Sequence, residues 1–248
     1  MNPSSLRFPK KSHRKSIDIP KESEKLAEFM GIMFGDGGIS NPWQLVISLN
    51  SISDLPYSLY ATGLIRQLFG LEIATRKRPN QNTLVLVCSS ATLVDFLVEK
   101  GFVRGNKVFQ QIDISTWIAA NQNYGKFFVR GLVDTDGCLY IHKHFTKGKF
   151  YANIGFCFTS FSKKLTFSVA KILNIHGIKP HVTDGGRRVY LYNQEAIGKY
   201  LNIFGSSNPR ILEKYDEWRS RIVVHSTRLE SARARAHAGS NPASSAHY

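Results

Sequence analysis

The chain has 248 residues and carries 33 Lys and Arg against 18 Asp and Glu, a formal net charge of +15 at pH 7. That length can bury a core in one large domain or two small ones, and the charge favours a polyanionic partner, either nucleic acid or an anionic membrane. No apolar run approaches the roughly 20 residues that cross a bilayer, so we expect no membrane role. The N-terminus has no signal-peptide core, and the three cysteines form no CxxC pair. We therefore expect a reduced, non-secreted protein of the cytoplasm or an organellar matrix.

Residues 1–22 predict a basic N-terminal arm. Five positive charges and no acidic residue lie within its first fifteen residues: Arg7, Lys10, Lys11, Arg14 and Lys15. Two interpretations stay open, a disordered tail and an arm that lies along a phosphate backbone.

The first half, residues 23–104, is expected to contain helices and strand hairpins in alternation. In chain order the patterns predict a helix capped by Ser23, a strand over 44–50, a helix from Ser53 to about Phe69, a hairpin of 71–78 with 83–88, and a helix from Ser90 to about Lys100. In the strand, Leu45, Ile47 and Leu49 alternate with polar residues, which indicates one core face and one open face.

After a linker over 105–122, the second half at 123–220 repeats this order. The predicted elements are strands over 140–144 and 151–159, a helix from Ser162 to about His176, a hairpin of 178–183 with 187–192, and a helix from Gln194 to about Phe204. The core face of the second strand is predicted to hold Ala152, Ile154, Phe156 and Phe158. Each half therefore reads α-β-β-α-β-β-α, an α+β pseudo-repeat, followed by a tail over 221–248 that is expected to be disordered.

Two short stretches, residues 29–37 and 129–137, share one pattern. Each reads as the last turns of an apolar helix that ends in Asp and then Gly, Asp36-Gly37 and Asp136-Gly137. Small residues lie four apart on one face of each helix: Gly31 and Gly35, then Gly131 and Thr135. Small side chains in this spacing allow two helix backbones to approach closely.

If these helices pack together, Asp36 and Asp136 emerge side by side at the negative ends of two helix dipoles. Two nearby carboxylates repel, so the arrangement makes sense if divalent cations bind there. Ordinary glycine-terminated helices would explain either stretch alone. The recurrence of the pattern one hundred residues later disfavours coincidence.

The two stretches resemble the motif of the LAGLIDADG homing endonucleases of the single-chain, two-motif type. The second matches at Gly131, Leu132, Asp134, Asp136 and Gly137, whereas the first keeps Gly31, Asp36 and Gly37 but has Phe34 where the motif often has Asp. The resemblance covers roughly residues 24–220 and includes the run from Gly105 to Tyr124, which looks like the family's approach to a second motif. It implies a monomer in which each half forms a saddle-shaped antiparallel sheet and the motif helices pack at a pseudo-twofold axis.

Hydrolysis of a phosphodiester needs an activated water, stabilised phosphoryl oxygens and help for the leaving oxygen, and carboxylates that hold divalent ions can supply all three. Asp36 and Asp136 are the predicted metal ligands and Mg²⁺ the predicted ion. The carbonyls of Gly35 and Thr135 lie beside them, and Lys107 is the first candidate for an assisting lysine. The resemblance implies that the residues at the matched strand ends, Asn50 and Thr159, tune the metal and its waters.

The open strand faces are predicted to contact DNA, because two-stranded ribbons fit the major groove. The candidate contact residues are Gln44, Ser48, Arg76, Arg78, Tyr140, His142, His144, Tyr151, Asn153, Lys179, His181, Arg188 and Tyr190. A solvated sheet face is the alternative for any one of them. Between Lys126 and Glu195, eleven basic residues face four acidic ones, so the second half should dominate phosphate attraction.

The leading functional hypothesis is a double-strand DNA endonuclease that cuts a long, asymmetric site. The alternatives are an RNA maturase that binds intron RNA and a DNA-binding regulator without catalysis. Residues 238–243 can be encoded by GCG GGT TCG AAT CCC GC, a string that folds into the form of a tRNA T-arm. An intronless tRNA gene is therefore a candidate target.

Overall fold

The computed structural model of the chain describes residues 15–146 and 149–221. The first fourteen residues of the predicted arm and the tail from 222 onward, which includes residues 238–243, lie outside this range. The first half contains α1 (Glu24–Phe34), β1 (Gly37–Asn41), β2 (Gln44–Asn50), α2 (Leu55–Phe69), β3 (Ala74–Lys77), β4 (Thr83–Ser89) and α3 (Ala91–Glu99). A short helix, α4 (Thr116–Ala119), lies between the halves.

The second half contains α5 (Gln122–Asp136), β5 (Gly137–Thr146), β6 (Lys149–Thr159), α6 (Lys163–Ile175), β7 (His181–Thr183), β8 (Arg188–Leu191) and α7 (Gln194–Ile203). A further helix, α8, occupies 209–221. The strands form two four-stranded antiparallel sheets with matching orders, β1-β2-β4-β3 and β5-β6-β8-β7. The predicted α+β class and the α-β-β-α-β-β-α order of each half are confirmed.

Local sequence sets the ends of these elements. Ser23 and Ser90 cap α1 and α3 by accepting hydrogen bonds from backbone N–H groups three residues later, at 3.3 and 3.2 Å. The N-cap of α2 is Asp54 and not the predicted Ser53. Strand β7, which pairs with β8, begins at His181, three residues later than predicted, because Pro180 has no N–H to donate to the sheet.

Each sheet is covered by helices on one face only. Leu45, Ile47 and Leu49 are at most 2% exposed and lie in the core with the apolar faces of α2 and α3, as the alternation predicts. In β6 the predicted core face is likewise buried, except that Ala152 is only half-buried. The opposite face of the second sheet is open along β5, whereas Val85 and Val87 of β4 are buried on the opposite face of the first sheet.

The two motif helices, α1 and α5, pack against each other through their glycines. A Cβ on Gly31 would lie 2.1 Å from the carbonyl oxygen of Phe128, and one on Gly131 would lie 2.2 Å from that of Glu28. These distances are far shorter than any van der Waals contact, so only glycine fits. The backbones therefore approach as closely as the four-residue spacing predicts.

The described part of the N-terminal arm lies on the helical side of the first half. Asp18 donates its N–H to the carbonyl of Phe69 at 3.2 Å, and the Ser90 hydroxyl donates to the carbonyl of Lys15 at 2.5 Å. Glu22 pairs with Lys100 after α3. Residues 15–22 are thus away from the open sheet face. Among the residues that the structure describes, no helix is long and apolar enough to cross a membrane.

Candidate active site

The ends of α1 and α5 bring the two motif carboxylates to one place. Asp136 is the last residue of α5, and Asp36 lies in the turn between α1 and β1. A Cβ on Gly35 would lie 2.0 Å from the Thr135 hydroxyl oxygen and 3.4 Å from Cγ of Asp136. The carboxyl group of the second motif therefore packs directly against the end of the first motif helix.

Both carboxyl groups are largely withdrawn from solvent, and this governs their charge. Burial raises the pKa of Asp36 to about 6 although the positive charge of Lys107 opposes it. Burial also raises the pKa of Asp136 to about 7, reinforced by repulsion from Asp36 and opposed by Lys107. Bringing a cation to this position would relieve the repulsion and favour ionisation of both acids.

Lys107 reaches the same place from the linker between the halves. Its ammonium donates to the carbonyls of Phe34, Gly35 and Gly37 at 3.0, 2.5 and 2.6 Å. The positive charge thus lies at the negative end of the α1 dipole. Burial lowers the pKa of Lys107, and the two motif carboxylates oppose this shift.

Arg210 is a second cation at the site that the sequence analysis missed. It donates from Nε to Oδ1 of Asp54 at 3.0 Å, and its Nη2 lies 3.5 Å from the carbonyls of Asp134 and Gly137. Its positive charge, like that of Lys107, opposes the rise that burial causes in the pKa of Asp36. Lys107 and Arg210 therefore contact the carbonyls of Gly37 and Gly137, which are matched positions of the two motifs.

The pseudo-repeat contained the information needed to find Arg210. Lys107 follows the end of α3 by eight residues, and Arg210 follows the end of α7 by seven. Both helices are the third of their half. A comparison of the two halves that extended beyond α7 would have paired these two basic residues.

Asp134 holds the segment that carries Arg210. The Asp134 side chain is buried, and its carboxylate accepts from the Ser206 hydroxyl at 2.5 Å and from the Ser207 N–H at 2.7 Å. Burial raises the pKa of Asp134 to about 7, and these two hydrogen bonds oppose the rise. Asn208 donates to both the carbonyl of Asp134 and Oδ1 of Asp54, at 2.9 and 3.0 Å. The segment is thereby tied to both halves.

A buried ionic network lies between the motif helices, about two helical turns before the carboxylates Asp36 and Asp136. Glu28 is fully buried, forms an ion pair with Arg130 of α5, and accepts from the Tyr60 and Ser207 hydroxyls at 2.8 Å each. Removing one partner of such a network would leave an unpaired buried charge. The network therefore fixes α1, α2, α5 and the segment after α7 relative to one another.

The matched strand-end residues are placed differently in the two halves. A cavity of about 250 Å³ is lined by Thr159 together with Asp136, Lys107 and Gly35. Asn50 does not line this cavity. Its Oδ1 accepts from the N–H groups of Ile52 and Ser53 at 2.9 and 3.1 Å, which stabilises the turn before α2.

The first sheet presents few of the candidate contact residues freely. The Gln44 amide donates to Ser89 Oγ at 3.2 Å and accepts from Ser40 Oγ at 3.1 Å. Ser48 is half-buried on β2. Arg76 on β3 and Arg78 just after it are exposed and extend the positive charge along the edge of the sheet.

The second sheet gathers most of its candidates on one face. In the register of the strands, Tyr140 lies opposite Gly155, His142 opposite Asn153, His144 opposite Tyr151, Tyr190 opposite His181, and Arg188 opposite Thr183. The rings of His144 and Tyr151 are stacked with their centroids 5.2 Å apart, and those of His142 and His144 are stacked with centroids 5.3 Å apart. Lys179 is exposed just before β7. This face therefore carries many aromatic rings together with basic side chains.

The donor set suits a hard divalent cation. Asp36 and Asp136 offer carboxylate oxygens, and backbone carbonyls lie beside them, the oxygen ligands that Mg²⁺ and Ca²⁺ prefer. The carbonyl of Gly35 already accepts from Lys107, so a cation that used this oxygen would have to displace the ammonium. Within 15–146 and 149–221, no group of three or more His, Cys, Asp or Glu side chains could hold a metal ion, so the two motif carboxylates would need backbone carbonyls or water to complete a coordination shell.

No known family model matches the sequence, and no curated protein sequence matches it. Solved structures do match. The I-SmaMI LAGLIDADG homing endonuclease bound to cleaved DNA is 13% identical, with a TM-score of 0.56 over 88% of this chain and 96% of that one. I-DmoI in complex with DNA and Ca is 17% identical, with a TM-score of 0.50 over 73% and 88%.

A third match is full-length WhiA from Thermatoga maritima, 15% identical with a TM-score of 0.50, which covers 90% of this chain and 71% of that one. At these identities the matches establish the fold. The two four-stranded antiparallel sheets of this chain match the fold of these endonucleases. The described part of the chain therefore has the fold of the LAGLIDADG homing endonucleases.

Proposed function

We propose that this protein is a site-specific endonuclease that hydrolyses phosphodiesters in duplex DNA with Mg²⁺ held by Asp36 and Asp136. The observation that carries the proposal is the placement of two half-buried carboxylates at the adjoining C-terminal ends of α1 and α5. Their pKa values are raised, so this arrangement costs stability unless a cation binds. A site that serves only the fold would gain nothing from this charge placement.

In the proposed reaction, residues of the chain hold the cation and attract the phosphate. Asp36 and Asp136 hold the cation, with the carbonyls of Gly35 and Thr135 beside them. Bound Mg²⁺ supplies an activated water and a positive charge on the phosphoryl oxygens. Lys107 and Arg210 place two further positive charges at the helix ends, where they attract the phosphate that enters the site.

The two open sheet faces would hold the duplex. Their contact residues differ between the halves, so the target would be long and asymmetric and one chain would suffice as a monomer. The fold similarity to endonucleases solved with DNA supports DNA as the partner. We extend the proposal to a mobile-intron origin, with an intronless tRNA gene as the target, because residues 238–243 can be encoded by a T-arm sequence.

The test is a supercoiled-plasmid library incubated with the protein, with and without Mg²⁺. Linear product that requires Mg²⁺ and disappears in both Asp36→Asn and Asp136→Asn would support the proposal. Each variant should still bind the selected duplex, because an amide removes the cation ligand and not the sheet contacts. Full cleavage by either variant would overturn the assignment of these acids.

A DNA-binding regulator without catalysis is the second candidate. The fold match to WhiA, which is not named as an endonuclease, covers most of this chain. Lys107 also occupies the Gly35 carbonyl that a metal ion could use. Duplex binding without cleavage in Mg²⁺, Mn²⁺ or Ca²⁺ would favour this candidate. Tighter binding to intron RNA than to duplex, with faster splicing, would instead indicate a maturase.

A further inference from the structure

Two of the three cysteines lie directly opposite each other on the open face of the second sheet. Cys138 on β5 is the register partner of Cys157 on β6. Opposed residues of antiparallel strands have Cα atoms about 4.5–5.5 Å apart and side chains on the same face. This Cα separation falls within the range of about 4.4–6.8 Å that a disulfide spans.

The environment of these thiols differs from that of Cys88. Cys138 is exposed and Cys157 is partly exposed, whereas Cys88 is buried in the core of the first half. The strand register places the Cys138 and Cys157 side chains side by side on this face. The pair is therefore both accessible to a small reagent and correctly placed to react with itself.

We propose that Cys138 and Cys157 form a reversible dithiol–disulfide site that reacts with small disulfides such as oxidised glutathione. One protein thiolate attacks a sulfur of the reagent, breaks its S–S bond and releases the first glutathione thiolate. The second protein thiol attacks the mixed disulfide, forms the Cys138–Cys157 bond and releases the second glutathione. The two protein thiol protons end on the two glutathione molecules, and the protein is oxidised by two electrons as the reagent is reduced.

Oxidation would alter the proposed duplex-binding surface. Cys157 Sγ lies 3.5 Å from the Thr159 hydroxyl, and Thr159 lines the cavity that contains Asp136. Cys157 is also the register partner of Tyr190, whose hydroxyl accepts from Arg188 at 3.4 Å. A bond to Cys138 draws Cys157 away from these partners. This consequence rests on the proposed function, whereas formation of the disulfide does not.

The experiment treats the full chain with oxidised glutathione and counts free thiols, then locates bridges by peptide mass mapping without reduction. We expect two of three thiols to disappear, a mass loss of about 2 Da with no retained glutathione, and a peptide that joins Cys138 to Cys157. Dithiothreitol should reverse the change. Cys138→Ser should instead retain one glutathione on Cys157. A bridge to Cys88, a bridge between chains, or a wild-type mixed disulfide that persists would overturn the proposal.

Duplex affinity is then measured on the reduced and oxidised proteins. We expect oxidation to weaken binding by about 2- to 10-fold, the effect of losing one hydrogen-bonded contact, in wild type and not in the double variant Cys138→Ala with Cys157→Ala, which has no thiol on this face. Equal affinity of the two forms would refute the link to nucleic-acid binding. If the reduced protein fails to bind any duplex, the proposed function fails, and the thiol count alone decides the disulfide.

Discussion

Neutralising Asp136 should make the metal-free protein more stable. A carboxyl whose pKa rises on folding from 3.8 to about 7 penalises the folded state above pH 7 by about 4 kcal/mol, at 1.36 kcal/mol for each pH unit. Asn has nearly the same shape and cannot ionise. The pKa of about 7 already includes the attraction of Lys107, so we expect Asp136→Asn to gain between about 2 and 4 kcal/mol at pH 8.

The pH dependence distinguishes this cause from a packing effect. The unfolded chain ionises Asp136 near pH 4 and the folded chain near pH 7, so the folded state binds more protons between these values. Stability of the wild type should therefore fall as pH rises through this window and level off above it. The advantage of the variant should be absent at pH 4 and complete above pH 7.

The assay is urea unfolding in EDTA at pH 4, 6 and 8, with Asp216→Asn, which changes an exposed carboxylate of α8, as the matched control. The control should leave stability within about 0.5 kcal/mol of wild type. A variant that is less stable than wild type at pH 8, or a gain that is equal at pH 4 and 8, would refute the reasoning. Adding Mg²⁺ should stabilise the wild type and not the variant.

Other predictions concern packing, catalysis, binding and origin. Gly131→Ala should destabilise the fold by roughly 2–4 kcal/mol in urea unfolding, because its Cβ meets backbone, whereas Gly63→Ala, in open space on α2, should be neutral or stabilising. Arg210→Gln should move the pH profile of cleavage to higher pH, because loss of the guanidinium charge raises the pKa of Asp36. An unchanged profile would show that Arg210 does not affect the ionisation of Asp36 during cleavage. In salt titrations of duplex affinity, Arg188→Glu should cost more than Arg76→Glu, and equal losses would contradict a dominant second half. The gene itself tests the tail: if its nucleotides form the T-arm stem-loop, the intron-free tRNA gene should be cut and the interrupted one spared.

The architecture was predictable because it depends on local periodicity. Alternating runs such as 44–50 identified strands with one buried face, and the repeated small-residue spacing identified the pair of helices that pack at the centre. Capping residues such as Ser23 and Ser90 gave helix starts within a residue or two. Each of these patterns is complete within about ten residues of sequence.

The polar surroundings of the site could not be predicted in the same way. The contact of Arg210 with Asp54 joins residues more than 150 positions apart, and no periodicity relates them. The commitment of Asn50 to a local turn is a choice between a near and a distant partner, which composition does not decide. Asp134 belongs to the motif, but its bonds to Ser206 and Ser207 depend on where the chain returns after α7.

The glycine contact between α1 and α5 has a consequence for engineering. Because backbone touches backbone at Gly31 and Gly131, the separation of the two carboxylates depends little on the side chains of either sheet. A chimera could therefore exchange one half for that of another protein of the same fold and keep the spacing of the acids. The graft would have to carry Glu28 with Arg130, and Asp54 with Arg210, as intact pairs, since each pair joins the two halves.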